Sequence, residues 1–268
     1  DSLLVGQKLK KISIVHGWTE QNTKIKFYES VDRRLLHFFD AVGCVSIQQK
    51  QNLFKNKIKA TLISNSLEVT EASSIKRTEL IKELKLSEPC ILFLTVGRLS
   101  QEKGHSFFLD VFSKLPFQEK SIHWVLIGDG SEMELLKQKT KNLKLESHIH
   151  FLGKKDDAIK WMKAVDYFIL PSFREGLPVV LQEAFAQSLP VIASDVGGNS
   201  ELVLNQKTGL LAEPANVNAL KEQINWALQN SEKMKNFAEA DRRHLIENFS
   251  LTNQAQQWMQ LLKYVHEK

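Results

Sequence analysis

The sequence predicts an α/β class protein, doubly wound around parallel sheet. Three observations carry this. Short β-type runs recur along all 268 residues, each is apolar on both faces, and helix-period stretches separate them. A strand covered by helices on both sides needs apolar residues at consecutive positions, whereas a half-exposed antiparallel strand alternates. Such runs interleaved with helices read as βαβα.

In chain order, ISIVH (12–16) is the first strand and a helix is expected over 24–40. AVGCVSI (41–47) and ATLIS (60–64) follow as strands. The stretch 64–79, SNSLEVTEASSIKRTE, is polar without a periodic apolar set, so it is the best linker in the chain. Beyond it come the strands ILFLTVG (91–97), HWVLIG (123–128), HIHFLG (148–153), DYFILP (166–171) and PVIAS (190–194). Helices are expected over 105–114, 131–143, 156–164, 178–188 and 216–229. After residue 231 the chain reads as helical to its end. There Leu251, Ala255, Trp258, Leu262 and Val265 would share one packing face. Three strands before the linker are fewer than a complete domain of this type has.

Composition is ordinary for a globular protein, with 43% hydrophobic and 25% charged residues, which excludes disordered and collagen-like chains. Two cysteines, Cys44 and Cys90, are too few for a disulfide framework and suit a reducing, cytoplasmic setting. No apolar run approaches the roughly 18 residues a membrane span needs. A net charge of +5 favours anionic partners. With Lys8, Lys10 and Lys11 close together, docking peripherally on an anionic inner membrane face is one expectation and plain solvated charge the other. Nucleic acid is not expected, because zinc spacing, an RNP-like aromatic strand and a dense basic helix are all missing.

The sharpest local feature is PSFREGLPVVLQEAFAQ. A strand ends at Pro171, a turn holds Glu175 and Gly176, and Pro178 stands where a helix begins, its favoured place. Such a helix points free amides and its positive end at the turn, which suits a phosphate. Glu175 and Glu183, eight positions apart, would both face the crevice at the sheet's carboxyl edge. Ionised carboxylates accept hydrogen bonds only, so a pair of them suits the hydroxyl groups of a polyol. Two solvated helix-cap acids would look the same, and spacing leaves both readings open. In TVGRLSQEKGH, Arg98 and Lys103 follow a strand end at Gly97, where they suit phosphate oxygens. GDGSE (128–132) lacks the dinucleotide fingerprint because Met133 stands where a glycine is required.

Taken in order, VGRLSQEKG, IGDGSE, FLGKKDD, LPSFREGLPVVLQEA, PVIASDVGGNSELV and TGLLAEP resemble the retaining glycosyltransferases of family four, the group one enzymes of GT-B fold. The resemblance is close over residues 90–215 and looser at HGW near His16, at CVS (44–46) and in the last helices. It implies two Rossmann-like domains, with a nucleotide-sugar held by the second and the acceptor by the first. Residues 1–70 would be the remnant of the acceptor domain, 71–248 the donor domain, and 249–268 a helix returning to the first domain. Relatives carry further residues before the VHG strand, including a glycine-rich loop that meets donor phosphates, so the chain resembles an amino-terminally truncated member.

Carried over residue by residue, the resemblance makes Glu175, Arg98, Lys103 and His16 the catalytic set. Arg98 and Lys103 would neutralise the donor diphosphate without a metal, Glu175 would hold a sugar hydroxyl, and His16 would reach the sugar across the cleft. Glu183 would accept from the ribose hydroxyls. Gly97, Gly128, Gly176, Leu177 and Val179 would line the donor, with Leu152 and Gly153 beside the base. No cofactor is implied beyond a UDP- or GDP-linked sugar as substrate. The partner would be a glycan or lipid-linked acceptor, and the activity hexose transfer with retention in polysaccharide, lipopolysaccharide or glycolipid synthesis. The other reading is a non-catalytic nucleotide-sugar-binding half that needs a separate amino-terminal chain. At the domain junction relatives commonly read N-G-I-D, whereas this chain has Asn65, Ser66, Leu67 and Glu68.

Overall fold

A computed structural model describes residues 9–18, 23–69, 74–117 and 120–267. The expected boundary at 70/71 and Lys8 lie outside them. Two parallel sheets form. The first holds β1 (Ile12–Val15), β2 (Ala41–Cys44) and β3 (Ala60–Leu62) in that order, paired from Ile12 against Ala41 and from Val42 against Ala60. The second holds β4 (Ile91–Val96), β5 (Ile122–Ile127), β6 (Ile149–Phe151), β7 (Tyr167–Leu170), β8 (Val191–Ser194) and β9 (Leu210–Ala212). Its order is β6-β5-β4-β7-β8-β9 with every pairing parallel.

Helices cross between the strands. In the first unit they are α1 (Thr23–Leu35) and α2 (Ile47–Lys55). In the second they are α3 (Arg77–Glu83), α4 (His105–Phe112), α5 (Met133–Asn142), α6 (Ile159–Met162), α7 (Val179–Ala186), α8 (Asn199–Leu202) and α9 (Val217–Gln229). Two long helices close the chain, α10 (Ser231–Asn248) and α11 (Leu251–Glu267).

Both faces of the second sheet are covered, which explains the unbroken apolar runs. Leu92, Leu94, Val125, Phe168 and Ala193 face a core closed by Leu80 of α3, Met162 of α6, Phe185 of α7 and Leu245 of α10. Phe93, Trp124, Leu126, Ile169 and Ile192 face the other way, against Phe108 and Phe112 of α4, Leu136 of α5 and Ile224 of α9.

Four elements differ from the sequence reading by being present where none was expected: α2, α3, α8 and β9. The polar stretch 64–79 is also less of a free linker than expected, since its last residues open α3. Upstream it is tied down. Asn65 Nδ2 donates to the Leu177 carbonyl at 2.7 Å, and Gln182 Nε2 donates back to the Asn65 carbonyl at 2.8 Å. Gln254 and Gln257 of α11 bond the backbone of Ser64. The helix expected over 24–40 ends earlier, and a 3-10 turn at Leu36–Phe38 follows it. On α11 the buried stripe is Trp258, Leu261 and Val265, packed on Ala41 and Ile63 of the first unit. Leu251 and Leu262, expected on it, are about half exposed because that face points to solvent.

One buried acid makes the fold sensitive to pH. Asp241 of α10 is fully buried beside Gly209, and burial holds its carboxyl up at about 8 against a smaller downward pull from Thr208. Between about pH 4 and 8 the unfolded chain has lost this proton and the folded chain keeps it. Stability from this group therefore falls as pH rises through that window, by up to about 1.4 kcal/mol per unit. Asp241→Asn is expected to flatten the slope, so urea unfolding at pH 5 and pH 8 should show the variant gaining on the parent at the higher pH.

Candidate functional site

The strand order of the second sheet reverses direction between β4 and β7, its central neighbours. Chains leaving their carboxyl ends diverge to opposite faces and open a crevice there. Two loops border it. After β4 come Arg98, Ser100 and Glu102, with Lys103 closing a 3-10 turn that Gly104 ends at φ 68°. After β7 come Ser172, Glu175 and Gly176.

The loops meet as an ion pair. Lys103 Nζ donates to both carboxylate oxygens of Glu175, at 2.8 and 3.0 Å, and Ser172 Oγ donates to the first at 2.6 Å. The Glu175 side chain is only 7% exposed. Beside this pair, Glu102 is buried and accepts from Ser100 Oγ at 2.6 Å and from Arg98 Nη2 at 3.1 Å. Each of the two cations expected for a diphosphate thus already holds a carboxylate.

The first sheet supplies the facing wall. His16 and Gly17 follow β1, and the Gly176 backbone lies so close to the His16 carbonyl that a Cβ would have no room. Trp18 donates its indole N–H to Asp32 at 2.9 Å, and the Arg33 guanidinium lies 4.6 Å from the centre of the Trp18 ring. At the start of α2, Ser46 Oγ accepts from the Gln49 N–H at 3.1 Å. The Glu201 carboxylate of α8 reaches across to accept from the Ile47 and Gln48 N–H groups, at 2.8 and 3.0 Å. A carboxylate at a helix amino end satisfies amides that have no partner within the helix.

Between the walls lies a cleft of about 740 Å³. His16, Arg98, Lys103, Glu175 and Gly176 all line it, so five of the sequence-expected residues come together. Gly97, Gly128, Leu152 and Gly153 do not line it. They run along the carboxyl edge of β4, β5 and β6, where Gly97 N–H donates to Ile127, Gly128 N–H to Gly153 and Leu152 N–H to Leu126. Gly128, at φ 144°, abuts the Gly97 carbonyl and leaves no space for a side chain.

Leu177 is buried under the turn, and Val179 starts α7, with Pro178 one position earlier than expected, as its cap. Glu183 does not share the cleft with Glu175. Four residues of helix carry it about 6 Å along the axis from Val179. There burial, and then the charge of Asp157, hold its carboxyl above the usual carboxylate range.

Sequence reasoning missed Glu102, Ser172, Trp18, Arg33 and Glu201. Glu102 and Ser172 lay inside the quoted motifs, and an acid one residue before Lys103 was the available signal. Trp18 and Glu201 also lay inside the quoted runs HGW and PVIASDVGGNSELV, but nothing in one dimension points to the partners of Glu201, which are 154 and 153 residues away.

A doubly wound six-stranded sheet facing a second parallel sheet across a cleft is the GT-B fold. A sequence model of the Glycosyl transferases group 1 family matches residues 76–244, and the chain belongs to that family. It is 26% identical over 253 residues to the N-acetyl-alpha-D-glucosaminyl L-malate synthase of Bacillus anthracis, covering 92% of this chain and 65% of that protein. It is 30% identical over 217 residues to an Escherichia coli UDP-Gal:alpha-D-GlcNAc-diphosphoundecaprenol alpha-1,3-galactosyltransferase, covering 75% and 56%. The Anabaena HepE structure in complex with UDP superposes with a TM-score of 0.81 at 23% identity, covering 94% of this chain and 71% of that one. The chain thus spans between about half and two-thirds of the length of the curated relatives it matches.

The ion pair has a measurable consequence for folding. Lys103→Met leaves a mostly buried carboxylate without its cation and is expected to cost about 1–3 kcal/mol. Adding Glu175→Gln should restore part of the loss, with a coupling of about 1 kcal/mol or more by urea unfolding of the double-mutant cycle.

Proposed function

We propose that this chain carries the donor site and part of the cleft of a retaining glycosyltransferase, which moves a hexose from a UDP- or GDP-linked donor to a hydroxyl of a glycan or lipid-linked acceptor. The observation that carries this reading is the Lys103–Glu175 pair at the strand-order reversal, with Arg98 beside it and His16 opposite. The UDP held by the HepE neighbour and the UDP-Gal in the galactosyltransferase's name support a UDP-linked donor. The latter's diphosphoundecaprenol acceptor supports a lipid-linked one.

In this reading the donor diphosphate competes with two carboxylates for Arg98 and Lys103. Lys103 turns from Glu175 to phosphate, which releases Glu175 to accept from a sugar hydroxyl. Both ends of the ion pair then bind one substrate. As the glycosidic bond to phosphate lengthens, the two cations hold the charge that develops on the departing diphosphate. The acceptor hydroxyl attacks from the face the diphosphate leaves and passes its proton to the departing phosphate oxygen, so configuration is retained. His16 lines the cleft where the sugar would sit. The Gly97–Gly128–Gly153 edge offers backbone close to the nucleoside, and Glu183 offers a carboxylate to its ribose.

No helix among the described residues is long and apolar enough to cross a membrane. A cytoplasmic protein touching an anionic membrane through Lys10 and Lys11, both exposed, fits a lipid-linked acceptor. The second reading, a donor-binding half completed by a separate chain, is favoured by the exposed apolar surface of the first unit, where Phe27 is 65% and Phe38 77% exposed.

Calorimetry with UDP and with GDP, followed by assay of donor hydrolysis and transfer, tests both readings. Binding with turnover supports the enzyme, binding without turnover the half-protein, and binding of neither nucleotide ends both. Arg98→Ala and Glu175→Ala are expected to lower turnover about a hundredfold or more. Unchanged rates in folded variants would remove these residues from the chemistry.

A further inference from the structure

We propose that Ser172 is a positioning residue: it keeps the Glu175 carboxylate anchored and satisfied after Lys103 has turned to the donor diphosphate, so that one particular carboxylate oxygen faces the sugar. The proposal rests on the glycosyl-transfer reading above and adds to it a residue that the substrate need not touch.

The two donors on Glu175 differ in their freedom to leave it. Lys103 Nζ bonds both oxygens, at 2.8 Å to Oε1 and 3.0 Å to Oε2. It ends a flexible four-carbon stem and lines the cleft, so it can swing to an incoming phosphate. Ser172 Oγ bonds Oε1 alone, at 2.6 Å. A carboxylate only accepts, so the hydroxyl proton points at Glu175, and the length is that of a charge-assisted bond.

Ser172 cannot follow Lys103. It is fully buried and does not line the cleft. The backbone on either side of it is braced by the loop after β4: Phe173 N–H donates to the Glu102 carbonyl at 2.8 Å, and the Pro171 carbonyl lies so close to Gly104 that a Cβ there would collide with it. The hydroxyl is thus fixed by contacts that do not involve the Lys103 side chain.

Once Lys103 moves, the two oxygens of Glu175 are no longer alike. Oε1 stays tied to Ser172, and Oε2 loses its cation and is the one offered to a sugar hydroxyl. With the Glu175 side chain only 7% exposed, water is poorly placed to replace a lost donor, and a buried charge left unsatisfied is costly. The arrangement recurs next to it, where Ser100 Oγ bonds Glu102 Oε1 at 2.6 Å and Arg98 bonds the same oxygen at 3.1 Å. Each carboxylate that yields a cation to phosphate therefore keeps a serine.

The test is calorimetric titration of the full chain with UDP, or with GDP where UDP does not bind, in the parent, Ser172→Ala, Glu175→Gln and the double variant. Ser172→Ala is expected to weaken nucleotide binding about tenfold, because the complex then leaves Glu175 with neither donor. In the Glu175→Gln background the charge is gone, and the same substitution should change affinity by less than about twofold. Ser172→Cys, close to serine in size and a weak donor, should lose affinity as alanine does, and it carries the test if Ser172→Ala does not fold.

An equal loss with and without the Glu175 charge would mean that Ser172 only packs the turn, which overturns the proposal. Parental affinity in Ser172→Ala or in Ser172→Cys overturns it too. In these cases the parent binds nucleotide and the donor reading stands. Binding of neither nucleotide by the parent overturns the donor reading and the role of Ser172 together.

Discussion

The site depends on one topological constraint. β4 and β7 lie side by side at the centre of the second sheet, and the chain leaves them toward opposite faces. The space between the departing loops cannot be filled by either, so it stays open at the carboxyl edge. Both loops then carry opposite charge into that space, and Lys103 meets Glu175 across a sequence separation of 72 residues. Mostly buried, the pair needs each partner: removing either would leave a charge in a place poor in water. A site built this way is preorganised by the order of strands.

This explains what the sequence could and could not tell. Strands of the second sheet are buried on both faces, so their apolar runs stand out, and Phe93 facing one core while Leu92 and Leu94 face the other accounts for the missing alternation. β9 escaped notice because its apolar run Leu210–Ala212 is bounded at once by Gly209 and Glu213, whereas the equally short β3 and β6 lie within β-type runs of five and six residues. α2 escaped because amides fill IQQKQNLFK and only Leu53 and Gln49 are buried, so the helical period hardly shows. For the site, motif order identified Arg98, Lys103, Glu175 and His16, which do line one cleft. Glu183, eight positions beyond Glu175, lies further along α7 and is not among the residues lining that cleft. Trp18, Arg33 and Glu201 act through partners in other elements, and no local pattern encodes such pairs.

The two walls of the cleft are joined by few apolar contacts and several polar ones. Val45 enters the core of the second unit, with Ile14 packed against it. Around it the contacts are polar or purely steric: Glu201 on the α2 amides, Asn65 between Leu177 and Gln182, and Gly176 against the His16 carbonyl. Interfaces of that composition permit relative motion of the units they join, whereas a large apolar seam would lock them. α11 adds a second connection: it follows α10, which packs on α7, yet buries Leu261 and Val265 against the first sheet.

These ties share a direction. Glu201 sits on α8, just past Gly197 and Gly198, and those two glycines press on the Glu175 carbonyl and the Gly176 carbonyl. Gly198 N–H also donates to the Gly176 carbonyl at 2.7 Å. The segment that holds α2 in place is therefore the one that supports the turn carrying Glu175. A shift of α2 relative to the second sheet would pull on Glu201 and, through α8 and the two glycines, on the backbone under the ion pair. The wall facing the pair and the residues forming it are mechanically one assembly, although stretches of chain far apart in sequence supply them.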